Sequence, residues 1–195
     1  GAGLPARSDP RYPKGGGEMT HEIIISGFGG QGVMAIGKTM VEAGMEEGLF
    51  VSWLPSYGPE MRGGTANCSV IIADKPIASP IVSNPTLLVA MNGPSLDKFA
   101  DKVTPGGVIL VNSSLIAQKV ERKDVRVYYV PANEMALDLG TAKAANIIML
   151  GAINRACEIL KHEFIRKGIE YGFKTKPHLV DMNVKVYEAG YQFIK

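Results

Sequence analysis

The chain has 195 residues, 46% of them hydrophobic and 21% charged, with a formal net charge of +2. That length suits one domain with a buried core, and so small a charge, without a long Lys/Arg cluster, leaves no footprint for nucleic acid. Two cysteines, Cys68 and Cys157, stand far apart and outside any C-x-x-C pair, so this chain alone supplies neither the about four thiolates of an iron–sulfur cluster nor the about four ligands of a structural zinc. Lone thiols fit a reducing compartment. No apolar run approaches the roughly 20 residues of a membrane span, and no signal-peptide core stands near the start. The expected location is the cytoplasm, away from membranes.

In chain order, residues 1–20 are rich in Gly and Pro and lack periodicity. They are expected to form a disordered tail or an expression remnant, which leaves residues 21–195 as a single domain. Residues 22–26 are a β-branched run that predicts a strand buried on both faces. After a glycine-rich turn, residues 33–47 carry Val33, Ile36, Met40, Val41 and Met45 on a helical stripe closed by Gly48. Residues 49–53 predict a second strand, and this β-turn-α-β opening implies a right-handed crossover and a parallel pair. A loop over 54–64 precedes a strand over 65–73 and a turn at Asp74-Lys75-Pro76. Strands follow at 87–91 and 108–111, with an edge or late strand at 126–130. Helices are predicted at 142–160, 163–171 and 178–194; the last sets Val180, Val184, Tyr187, Tyr191 and Ile194 on one face. The alternation predicts an α/β fold: a Rossmann-like open sheet, mostly parallel, with helices on both faces.

Gly27-Phe28-Gly29-Gly30-Gln31-Gly32 fits G-x-G-x-x-G between a strand and a helix. Glycine permits positive φ and close approach of a ligand to the backbone, and a helix N-terminus offers unpaired N–H groups to a phosphate or carboxylate. A nicotinamide dinucleotide normally needs an acid at the end of the second strand, where this chain reads Ser52-Trp53-Leu54-Pro55-Ser56. A structural turn, a different anion and a partner loop therefore stay open. Overlapping it, residues 32–39 fit the Walker pattern G-x-x-x-x-G-K-[ST]. That match begins six residues after the strand ends and contains apolar Val33, Met34 and Ile36, so it reads as coincidence, with Lys38 on the helix.

The loop 55–64 holds Pro55 and Pro59 beside Gly58, Gly63 and Gly64, with polar Ser56, Tyr57, Glu60 and Arg62 between them. It is expected at the sheet end that carries the glycine turn. Arg62 has the geometry for a bidentate phosphate or carboxylate contact; a surface ion pair with Glu60 is the alternative.

Ser26-Gly27-Phe28-Gly29-Gly30-Gln31-Gly32, followed by Pro55-Ser56-Tyr57-Gly58-Pro59-Glu60-Met61-Arg62-Gly63-Gly64-Thr65-Ala66-Asn67-Cys68, resembles the gamma subunit of 2-oxoacid:ferredoxin oxidoreductases. Pro76-Ile77-Ala78-Ser79-Pro80 and Asn146-Ile147-Ile148-Met149-Leu150-Gly151-Ala152 extend the resemblance, which covers roughly residues 22–155 and looks most like the 2-oxoglutarate branch, with the pyruvate and branched-chain branches behind it. The resemblance implies a complex that decarboxylates a 2-oxoacid on thiamine diphosphate with Mg, passes electrons through iron–sulfur clusters to ferredoxin, and releases an acyl-CoA. It implies that this chain binds no cofactor alone, that alpha, beta and ferredoxin-like delta subunits are its partners, and that an isolated chain can homodimerise. It also implies that coenzyme A meets Gly27, Gly29, Gly30, Gln31, Gly32, Ser56, Tyr57, Gly58, Arg62, Gly63, Gly64 and Asn146. A non-catalytic nucleotide-binding module is the alternative.

No general acid–base pair stands out, so no catalytic residue and no metal ligand are expected. His21, His162 and His178 lie outside the motif blocks and read as surface or capping residues. Cys68 reads as a small core residue in a strand and Cys157 as a helical one. Asn146 either reaches the site or serves only helix contacts.

Overall fold

The computed structural model describes residues 19–57 and 65–195. Six strands, β1 (Thr20–Phe28), β2 (Phe50–Tyr57), β3 (Thr65–Ala73), β4 (Leu87–Ala90), β5 (Val108–Asn112) and β6 (Arg126–Val130), form one sheet in the order β2-β3-β1-β4-β5-β6. The β1–β4, β4–β5 and β5–β6 pairs are parallel. β4 and β5 are buried at every residue, which is why their sequences are unbroken apolar runs and not alternating ones.

The helices are α1 (Val33–Glu46), α2 (Gly93–Phe99), α3 (Ala132–Asp138), α4 (Ala145–Cys157), α5 (His162–Gly172) and α6 (Val180–Phe193). One sheet face packs Ile23, Ile25, Val70 and Leu110 against α1, α3, α4, α5 and α6. The other packs Ile24, Leu88 and Ile109 against Leu96 and Phe99 of α2 and against Val82 and Ile116 from loops. Helices thus cover both faces, unequally.

Several expectations need correction. β1 and β2 do not form a parallel pair. β3 lies between them and pairs antiparallel with each, and strands that follow one another in sequence need only a short connection to pair antiparallel. Residues 54–57 belong to β2 and not to a loop; Pro55 is tolerated because β2 is an edge strand. The helix expected over 142–160 is a 3-10 turn at Ala142–Ala144 followed by α4, which ends with Glu158 at φ 47. α2 and α3, at seven residues each, are too short for periodicity to reveal. The tail expected over 1–20 lies outside the described residues except at its end, where Thr20 already begins β1.

Candidate functional site

β1 delivers the glycine turn to the carboxyl end of the parallel strands, next to β4. α1 lies on one face and α2 on the other, so the chain leaves β1 and β4 toward opposite faces, which makes this the topological switch point of the sheet. A Cβ at Gly27 would stand 2.5 Å from Gln31 Oε1 and 2.8 Å from Met91 Cβ, so only glycine fits there. Gln31 closes the turn. Its Oε1 accepts the Phe28 N–H at 2.6 Å, and its Nε2 donates to the Met91 carbonyl at 3.2 Å, which ties the turn to the end of β4.

Gly30 and Gly32 adopt φ of 87° and 73°, the left-handed region in which L side chains are strained. Gly32 is the N-cap of α1. No side chain caps it, and the first turn holds no acidic residue. The N–H groups of that turn therefore lack intrahelical acceptors and concentrate the positive end of the helix dipole. Gly29 and Gly30 are exposed and Gln31 and Gly32 half-buried, so the turn is accessible.

Asn146, at the start of α4, reaches this turn across 114 positions of sequence: its Nδ2 donates to the Gly32 carbonyl at 3.4 Å. That carbonyl also accepts the Ile36 N–H at 3.1 Å. Ser56 is exposed in β2 and lies opposite Asn67, which lies opposite Ser26 of β1. Tyr57 pairs with Ala66, and Phe28 with Thr65, so the last residue of β2 and the first of β3 stand at the end that carries the glycine turn. Gly58, Arg62, Gly63 and Gly64 lie outside the described residues, as does Glu60.

The sequence reading missed the β4 side of the switch point. Asn92, 1% exposed, accepts the Ser95 N–H at 2.9 Å as N-cap of α2, and its Nδ2 has no hydrogen-bond partner among the described residues. Ser26 Oγ and Ser95 Oγ are 2.8 Å apart. Asn92-Gly93-Pro94, a capping residue with a following Pro, was the available signal.

Lys38 sits on α1 with its ammonium 5.2 Å from the Trp53 ring centroid, while Val33 and Ile36 are buried, as the coincidence reading of the Walker match requires. Burial pushes the Cys68 thiol up to about 12, so it is a core group and not a nucleophile. His178 is exposed and His21 half-buried; His162 Nδ1 lies 2.9 Å from Tyr187 Oη. Among the described residues no group of three or more His, Cys, Asp or Glu side chains could hold a metal, and no helix is long and apolar enough to cross a membrane.

The fold and the turn define an open α/β domain with an uncapped helix N-terminus at its topological switch point. The chain belongs to the pyruvate ferredoxin/flavodoxin oxidoreductase family, which it matches over residues 22–193. It is 42% identical over 188 residues to the ketoisovalerate oxidoreductase subunit VorA of Methanothermobacter thermautotrophicus, a match covering 96% of this chain and 38% of that protein. The chain therefore spans well under half the length of that relative. It is 34% identical over 181 residues to the 2-oxoglutarate synthase subunit KorC of Methanocaldococcus jannaschii, covering 91% of this chain and 96% of that one. The crystal structure of the keto/oxoacid ferredoxin oxidoreductase gamma subunit from Geobacter sulfurreducens superposes with a TM-score of 0.76 at 30% identity, covering 88% of this chain and 96% of that one. The resemblance to gamma subunits holds. The branch is left undetermined: relatives of both the ketoisovalerate and the 2-oxoglutarate kind match, the ketoisovalerate subunit at the higher identity of these two.

Proposed function

We propose that this chain is the gamma-type part of a 2-oxoacid:ferredoxin oxidoreductase and that its glycine turn receives phosphate groups of coenzyme A, the co-substrate that carries off the acyl group. The observation that carries this reading is the uncapped N-terminus of α1, reached through exposed Gly29 and Gly30 and held open by Gln31 and Asn146. Backbone N–H groups and a helix dipole favour a phosphate without needing a charged side chain. Arg62, which the sequence sets between β2 and β3, would add a bidentate contact, with Ser56 and Tyr57 as further polar candidates. The chain's contribution is binding and orientation; thiamine diphosphate with Mg and the iron–sulfur clusters belong to the alpha, beta and delta subunits, and ferredoxin takes the electrons. Phe28, Phe50 and Leu54 are exposed on the sheet face turned away from α1, an apolar surface suited to a partner subunit. Relatives of both kinds make branched-chain 2-oxoacids and 2-oxoglutarate the first substrates to assay, with pyruvate third. A reducing cytoplasm suits such a complex.

The test uses the complex assembled with its native partners and follows viologen reduction with each 2-oxoacid, with and without coenzyme A. Strict dependence on coenzyme A with one oxoacid supports the reading and names the substrate. Arg62→Ala should raise the KM for coenzyme A on the order of tenfold, as loss of a charge-assisted contact does, with unchanged thermal stability. An unmoved KM in both Arg62→Ala and Gly30→Ala would remove coenzyme A from this turn.

A further inference from the structure

α5 and α6 share a sheet face but pack on different neighbours, α5 against α1 and α6 against α4. Between them opens a cleft of about 490 Å³, within the range of small-ligand sites. Its floor is apolar, with Ile165 and Ile169 each 1% exposed. Three rings stand together in its lining. His162 lies 5.8 Å from Tyr187 and 4.5 Å from Tyr191 by ring centroid, both edge-on.

A buried relay fixes these rings. The Leu160 N–H donates to Asn154 Oδ1 at 2.9 Å, which orients the amide. Asn154 Nδ2 then donates to the Leu160 carbonyl at 2.7 Å and to Tyr187 Oη at 2.8 Å. Burial pushes the Tyr187 hydroxyl well above its usual range, and its Oη lies 2.9 Å from His162 Nδ1.

The charges at the cleft mouth are unequal. Arg166 is held by Glu170 at 3.2 Å and Asp181 at 2.9 Å, which compensates it. Glu163 and Glu188 also line the cleft, are exposed, and form no ion pair among the described residues. Tyr191 already draws a cation to its ring, with Arg155 Cζ 5.3 Å from the centroid. Rings of this kind beside free carboxylates favour a positive group over a negative one.

We propose that the α5–α6 cleft binds an organic cation with an apolar body, either a free amine or a Lys or Arg side chain of a partner subunit. The apolar body rests on Ile165 and Val184, and the positive end lies among the tyrosines, Glu163 and Glu188. The site is separate from the glycine turn. The Lys161 N–H, next to His162, bonds Glu47 just past the C-terminal end of α1, and the turn sits at the other end of that 14-residue helix, so the His162 end of the cleft lies roughly 20 Å from it at about 1.5 Å per residue.

The test is NMR of the full chain, following the His162 and Tyr191 ring signals during titration with phenethylammonium and, separately, with 3-phenylpropionate. Saturable shifts with the amine, on the order of tenfold tighter than with the acid, are the expected result. The double variant Glu163→Gln with Glu188→Gln should weaken the amine by about the same factor while its melting temperature stays put. Absence of saturation, equal binding of the acid, or wild-type affinity in the double variant would overturn the proposal. Repeating the titration on the assembled complex separates the two sources: blocked binding marks a partner side chain as occupant, and retained binding marks a free amine.

Discussion

Gly32→Ala tests the architecture of the turn, with Gly30→Ala as its control. Both residues have positive φ, so an alanine at either position carries the left-handed penalty of about 1–2 kcal/mol. At Gly30 nothing lies within 4 Å of the added Cβ, whereas at Gly32 it meets Asn146 Nδ2 and lies 2.8 Å from Asn146 Cγ. Displacing that side chain adds about 1–3 kcal/mol, the usual cost of overpacking. Gly32→Ala should therefore destabilise by about 2–5 kcal/mol, against about 1–2 kcal/mol for Gly30→Ala. Asn146→Ala removes the Nδ2 and Cγ contacts and leaves only Asn146 Cβ, at 3.0 Å. In that background the cost of Gly32→Ala should fall by about 1–2 kcal/mol, a coupling that a double-mutant cycle in urea measures at constant m-value. Strict additivity, or equal costs for the two glycines, would refute the claim that Asn146 is packed against the turn.

Gly190→Ala should destabilise more than either, since its Cβ meets the Ile148 carbonyl, a backbone group that cannot rotate away, where α6 crosses α4; thermal melting should show a loss of about 3 kcal/mol or more, or no folding. The Cys68 thiol, pushed by burial from 9.0 to about 12, makes stability pH-dependent. The folded value lies above the unfolded one, so its contribution is whole below about pH 9 and is lost as pH rises through the folded value, at up to about 1.4 kcal/mol per pH unit. Urea midpoints between about pH 8 and 10 should fall less steeply in Cys68→Ala; an identical slope would exclude the thiol as the cause. Asn92→Ala removes the cap on the Ser95 N–H but also a buried Nδ2 without a partner among the described residues, so its cost by thermal denaturation should come out below the about 1 kcal/mol of an ordinary N-cap.

What the sequence by itself determined is the part ruled by short-range chemistry. The unbroken apolar runs of β4 and β5, the strand at Thr65–Ala73 and the glycine turn between β1 and α1 follow from local periodicity and from the backbone conformations that only glycine holds easily. The ordered motif blocks also carried the family likeness. Only the tertiary structure decided which strands are neighbours: β3 sits between β1 and β2 because it also pairs with β1, from Phe28 with Thr65 to Thr20 with Ala73, and local pattern carries no such information. The same holds for the site. Gln31 bonding the end of β4, Asn146 meeting Gly32, and the relay from Asn154 through Tyr187 to His162 each join residues far apart in sequence. Those contacts exist because helices and strands stack their buried faces. The positions of polar side chains at the rims of that packing are set by the stacking and by no single segment.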